Sequence, residues 1–145
     1  MGKGSMVKSY FSDYERYHRH PINKITHVFG IYSIVISLLG LLSLIEISSN
    51  LNVALVFLGL VSAWYMYLNL WIGSGFVAFL LMTYLFSLYL PLSALWSLFA
   101  VGWIFQFVGH IFFEKKSPAF FKNLVHLFIG PFFIFCDLTG LKKYI

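Results

Sequence analysis

The sequence predicts an all-α integral membrane protein, and three observations carry the prediction. All ten Lys and Arg residues lie outside residues 25–113, and that interval holds a single formal charge, Glu46. The chain is 60% hydrophobic and 21% aromatic but only 10% charged, the balance of a polytopic helical bundle rather than of a water-soluble domain. The uncharged block is also long enough to be cut into several spans of the ~20 residues needed to cross the hydrocarbon core. One membrane domain over residues 1–145 is therefore expected, with a flank at 1–24, spans within 25–113, and a basic loop, re-entrant segment and tail at 114–145.

The elements follow in order. The flank is polar and shows no cleavable leader pattern, so the first hydrophobic helix is expected to target the chain. His20-Pro21 reads as a helix start, because Pro is tolerated where its missing amide proton has no helical partner. Four transmembrane helices are placed at about 25–46, 52–70, 73–90 and 92–113, divided by Ser48-Ser49-Asn50, Gly73-Ser74-Gly75 and Pro91. Glu46 and the Ser/Asn stretch after it read as a solvated connection. Glu114 to Pro118 breaks the pattern, and Phe120 to Leu138 is a fifth apolar segment interrupted at Gly130-Pro131.

Positive charge assigns sides. Lys3, Lys8, Arg16, Arg19 and Lys24 precede the first span, Lys115, Lys116 and Lys122 follow the fourth, and Lys142 and Lys143 end the chain; all are assigned to the cytoplasm. Four crossings satisfy the first two groups, and the fifth segment then returns to the side it left, as a re-entrant or interfacial helix packed against protein. A fifth span is the alternative. The net charge of +5 sits in short flanks where it meets anionic headgroups, so membrane lipids rather than nucleic acid are the expected partners. Cys136, the only cysteine, lies in an apolar run and excludes disulfides and Cys-based metal motifs within the chain.

With four crossings, the start of the first span and the end of the fourth share one face of the membrane. Asn23 and His27 are one helical turn apart, with His18 and His20 on the lead-in above them. Gln106, His110 and Glu114 are spaced by four and form a polar stripe on an apolar helix. Polar groups inside a membrane helix are costly unless partnered, so each stripe is a candidate site. Imidazoles from two helices with a carboxylate nearby suit iron, manganese or zinc, and two His with one Glu would make the facial triad of non-haem Fe(II) oxygenases. The bland alternatives are headgroup-level roles for His18 and His20, a packing role for His126, charge balance for Glu114 against Lys115 and Lys116, and interhelical hydrogen bonding for Gln106.

Tyr17 to Gly30 (YHRHPINKITHVFG) carries His-x4-Asn-x3-His-x2-Gly, and residues 106–114 carry Gln-Phe-x-Gly-His-x3-Glu, followed by Pro118-Ala119. These paired signatures resemble those of the 2-hydroxy fatty acid dioxygenase family of phytosphingosine breakdown, and the resemblance covers nearly the whole chain. It implies an Fe(II)-dependent membrane enzyme of fatty acid alpha-oxidation, which takes a long-chain 2-hydroxy fatty acid and dioxygen to an acid one carbon shorter plus carbon dioxide. Carried over, His18, His27 and His110 are the first candidate ligands, and His20 and His126 additional ones. Asn23 and Gln106 would support the ligands, while Glu114 is a supporting group or a ligand with a catalytic role. Lys24, Lys115 or Lys116 would attract the substrate carboxylate.

Lys142 and Lys143, four and three positions from the C-terminus, resemble a dilysine retrieval signal of the endoplasmic reticulum, or serve as a basic anchor. The membrane is then that of the endoplasmic reticulum in a eukaryote or the inner membrane in a bacterium. Two other functions compete with the dioxygenase. One is a haem protein in which His27 and His110 ligate one iron, and the other a non-catalytic lipid-binding or adaptor bundle.

Overall fold

The computed structural model describes residues 3–145; the side chains of Lys3, from the basic flank, and of Ala119, from the Pro-Ala pair, lie outside what it describes. The described chain is helical apart from one small hairpin. Helices α1 (Lys3–Tyr17) and α2 (Pro21–Ser43) lead to the antiparallel pair β1 (Glu46–Ser48) and β2 (Leu51–Asn52). Then come α3 (Val53–Leu68), α4 (Leu70–Ser87) and α5 (Leu92–Val108), which runs on as a π-helical segment, Gly109–Glu114. A 3-10 turn (Ala119–Phe121), α6 (Val125–Leu138) and a second 3-10 turn (Leu141–Tyr144) complete it.

Three helical stretches are long and apolar enough to cross a membrane: Pro21–Ser43, Leu70–Ser87 and Leu92–Glu114. Helices α3 and α6 are apolar but shorter. Large apolar side chains stand exposed all along these helices, Leu60, Met82 and Ile104 among them, an arrangement that suits lipid and not water. Trp71 and Tyr89 are each 87% exposed at opposite ends of the α4 region, where amphipathic rings meet the headgroup level.

The contacts divide the chain into two units, residues 1–32 with 101–145, and residues 33–100. In the second unit α3 and α4 form a tight hairpin. The expected divider at Gly73-Ser74-Gly75 falls inside α4, and the chain breaks instead at Asn69. Asn69 ends α3 with its amide N–H on the Tyr65 carbonyl, and its side-chain oxygen accepts the Ile72 N–H, so one residue terminates one helix and caps the next. Gly73 is needed within the helix, because a Cβ there would run into the Tyr65 backbone. Asn52 caps α3 in the same way and donates to the Tyr84 hydroxyl at 2.9 Å. Glu46 and its neighbours are exposed, as expected of the connection.

In the first unit the polar flank is a helix. Val7, Phe11, Tyr14 and His18 recur at spacings of four and three, which puts them on one face of α1, and all are buried. That face packs on α6, with Phe11 edge-on to Phe132 and Phe133 at ring separations of 5.8 and 5.0 Å. Burying each ring contributes ~1.5–3 kcal/mol. Helix α6 runs through Gly130-Pro131 without the expected interruption. Proline removes one helical hydrogen bond, but here both residues are buried against α1 and α2, where Gly130 faces Tyr14 and Ile31, and that packing holds the helix together.

Candidate metal centre

Three segments of the first unit bring one imidazole each to a common point. His18 follows the last turn of α1, His27 lies one turn after Asn23 on α2, and His110 is the second residue of the π-helical segment. All three are buried, at 5%, 2% and 2% exposure. One ring nitrogen from each lies within 4.8 Å of those of the other two. The His27 and His110 Nε2 atoms are 3.1 Å apart, and the His18 ring stands edge-on to both, at centroid distances of 4.4 and 4.8 Å.

Backbone and glycines make this convergence possible. At Gly109 a Cβ would strike the Asn23 Oδ1, the Thr26 Oγ1 and the His27 ring, so only glycine lets the end of α5 lie against α2 there. Gly30 does the same one level down, where a Cβ would meet the Gln106 amide and the Gly102 carbonyl. The π-helical winding turns His110 toward His27, and it ends at Lys115 in the left-handed conformation (φ 53°).

The hydrogen bonds assign the tautomers. His18 Nδ1 lies 2.7 Å from the Tyr14 carbonyl, and His27 Nδ1 lies 2.9 Å from the Asn23 carbonyl. A carbonyl only accepts, so each Nδ1 carries the proton and each Nε2 has a free lone pair. Burial lowers the His18 pKa to about 3, which keeps that ring neutral at physiological pH. Its face stacks on Tyr14 at 3.9 Å, and the Tyr14 phenol is in turn held un-ionised by burial.

These donors fit a metal ion. Ligating imidazoles commonly donate their second ring N–H to a backbone carbonyl, as His18 and His27 do. Two nitrogens bound at ~2.1 Å to one ion at about a right angle are ~3 Å apart, matching the His27–His110 separation. The His110 Nδ1 is buried without a hydrogen-bond partner, so the tautomer of that third ring answers to the contact of its Nε2 with His27.

The other sequence candidates fall into place around the trio. Glu114 accepts the His20 backbone N–H at 2.7 Å and the Asn23 side-chain amide at 3.1 Å. It therefore ties the end of the π-helical segment to the first turn of α2, where a carboxylate is also favoured by the helix dipole. Asn23, fully buried, holds His27 through its own carbonyl. Gln106 is buried beneath Gly30, its amide nitrogen without a partner.

His20 and His126 do not join the three. The His20 ring stacks on Phe113 at 5.3 Å and its Nδ1 accepts the Ile22 N–H, while His126 Nε2 pairs with the Asp13 carboxylate at 2.8 Å. Among the lysines, Lys24 lines a cavity beside His18 and His27, whereas Lys115 and Lys116 are exposed and outside it. Sequence reading missed the role of Tyr14, and it put His18 among the first ligands only on the family signature. The signal was present in the spacing of residues 7, 11, 14 and 18, where the last position of an amphipathic face is a histidine.

A helical, membrane-associated protein with a buried three-histidine centre is the class that fold and site define. The chain belongs to the Mpo1-like family, described as 2-hydroxy-palmitic acid dioxygenase Mpo1-like, which it matches over residues 5–142. It is similar to the 2-hydroxy-palmitic acid dioxygenase MPO1 of Saccharomyces cerevisiae, with 34% identity over 140 residues, covering 92% of this chain and 80% of that protein. No solved structure matches it.

Proposed function

We propose that this protein is an Fe(II)-dependent dioxygenase of fatty acid alpha-oxidation, converting a long-chain 2-hydroxy fatty acid and dioxygen to a fatty acid one carbon shorter. The observation that carries the reading is the convergence of His18, His27 and His110, three buried nitrogen donors with two of the tautomers already set for ligation. The family and the similarity to a 2-hydroxy-palmitic acid dioxygenase supply the substrate class.

The reaction balances without an added reductant. The bond between carbons 1 and 2 breaks, carbon 1 leaves as carbon dioxide, carbon 2 becomes the new carboxyl, and dioxygen takes up the four electrons released, with one water formed. Iron(II), when bound, supplies chelation of the hydroxyl and one carboxylate oxygen of the acid and electron transfer toward dioxygen. His18, His27 and His110 would hold such an ion through their ring nitrogens. Asn23 and Glu114 keep His27 in register, and the buried surroundings exclude bulk water from the reacting carbons.

Haem ligation by His27 and His110 fits less well. The two nitrogens are 3.1 Å apart with the His18 ring beside them, which leaves no room for a macrocycle between the two rings. A purely structural trio would bury three imidazoles to no chemical end, at a desolvation cost.

Lys8, Arg16 and Arg19 before α2, Lys24 in its first turn, and Lys115, Lys116 and Lys122 after α5 support a cytoplasmic centre. Four crossings by α2, α3, α4 and α5 follow, with α6 returning to the same side as an interfacial or re-entrant helix. This reading puts the protein in the endoplasmic reticulum membrane in a eukaryotic cell and in the inner membrane in a bacterium.

The test is iron content and turnover on the same sample. Protein purified anaerobically in detergent and supplied with Fe(II) is expected to hold about one iron per chain without a haem spectrum. It is also expected to release carbon dioxide from 2-hydroxy-palmitic acid in step with dioxygen uptake. Iron without turnover would remove the assigned reaction, and no specific metal would remove the centre itself.

A further inference from the structure

Beside the three histidines the first unit contains a cavity of about 30 Å³, bounded by His18 and His27, by the apolar side chains of Val28 and Ile134, and by Lys24 and Asp137. The imidazoles and Ile134 are buried, whereas Lys24 and Asp137 are exposed, so the cavity leads from charged surface to the candidate metal centre. The charges at its mouth are unequal. The Asp137 carboxylate has the Lys142 ammonium 3.8 Å away, and Lys142 is also held by Glu15. Among the described residues Lys24 has no carboxylate within ion-pairing distance. The mouth therefore offers one cation without a carboxylate partner next to an apolar slot, with the His18 and His27 rings within.

A 2-hydroxy acid has the complementary sequence of groups: an anionic carboxylate, a hydroxyl on the next carbon, and an alkyl chain. We infer that this cavity is the head-group slot of the acid, with Lys24 as the residue that binds its carboxylate and Val28 and Ile134 as the walls that receive its first methylenes. At about 30 Å³ the cavity is small, so it takes the carboxyl end of the acid and its first methylenes while the rest of the chain stays outside in lipid. This rests on the function proposed above and selects one lysine from the three that the sequence offered. Lys24 is a substrate-binding residue, and Lys115 and Lys116, outside the cavity, are not.

The experiment measures binding and turnover separately, with 2-hydroxy-palmitic acid and its uncharged methyl ester as probes. Wild type, Lys24→Met, Lys24→Arg and Lys116→Met are compared in detergent, with metal content as a check on the centre. Lys24→Met is expected to weaken acid binding and raise its KM about tenfold, the worth of one charge-assisted hydrogen bond, with kcat and metal content held. Its preference for the acid over the ester should fall below that of wild type by the same factor. Lys24→Arg should restore the preference. An undiminished preference for the acid in Lys24→Met, or its loss in Lys116→Met instead, overturns the slot. Acid binding that depends on Lys24 without any turnover supports the slot and overturns the oxidative reaction, so the two failures are distinguishable.

Discussion

The Nε2 atoms of His27 and His110 lie 3.1 Å apart although 83 residues separate them in the chain. Two imidazole nitrogens at that distance share a proton or a cation, since two bare lone pairs would repel. His27→Ala and His110→Ala are each expected to abolish stoichiometric metal binding and to lower turnover more than about a hundredfold. Elemental analysis and a decarboxylation assay on purified protein check this, and full metal content in either variant would put the ion elsewhere.

Metal removal should cost stability. An ion present at about a hundred times its dissociation constant adds ~2.7 kcal/mol to the folded state. A chelator is expected to lower the thermal unfolding midpoint of the wild-type protein in detergent, and Fe(II) to restore it. The His27→Ala variant should show neither response.

Glu114 reaches the centre through Asn23 and not by direct contact with the trio. Replacing it with Ala frees the Asn23 amide and the His20 N–H, and is expected to weaken metal affinity about 10–100-fold while full occupancy returns at saturating metal. Occupancy that stays low at saturation would make Glu114 a ligand.

Two glycines should behave in opposite ways. Gly109→Ala drives a methyl group into Asn23, Thr26 and His27, and is expected to destabilise by ~1–3 kcal/mol and to impair metal binding. Gly75→Ala meets nothing within 4 Å in the interior of α4 and should stabilise by ~0.5–1 kcal/mol through helix propensity. Unfolding midpoints of the two variants, read side by side, decide the matter.

His20→Gln and His126→Gln are expected to keep one metal per chain, because their rings are engaged with Phe113 and Asp13. Loss of the ion in either would enlarge the ligand set beyond three.

Much of this was legible in one dimension. Confinement of charge to the ends of the chain is a solvation statement and needs no coordinates. The turn spacing of Asn23 with His27 put both on one face of α2, because helical period brings residues four apart together, but that the His27 ring bonds the Asn23 backbone carbonyl was not in the spacing. The same reasoning failed where a local signal was ambiguous. Gly73 and Gly75 looked like a turn but lie inside α4, and Gly130-Pro131 looked like a break but lies inside α6. Close packing, unseen in the sequence, explains Gly73 against the Tyr65 backbone and Gly130 against Ile31 and Tyr14, whereas nothing packs on Gly75.

By itself, then, the sequence determined a helical membrane protein with histidines at both edges of an apolar block, since hydropathy and helical period are properties of the chain alone. The family signatures already put His18, His27 and His110 first among the five histidines, and only the tertiary structure showed that these three rings, without His20 and His126, converge. That convergence depends on where each ring points once the Val7, Phe11 and Tyr14 face of α1 is buried on α6, and once Gly109 lets the end of α5 close on α2. Side-chain direction at a helix end is set by what the helix packs against, and no spacing rule contains it.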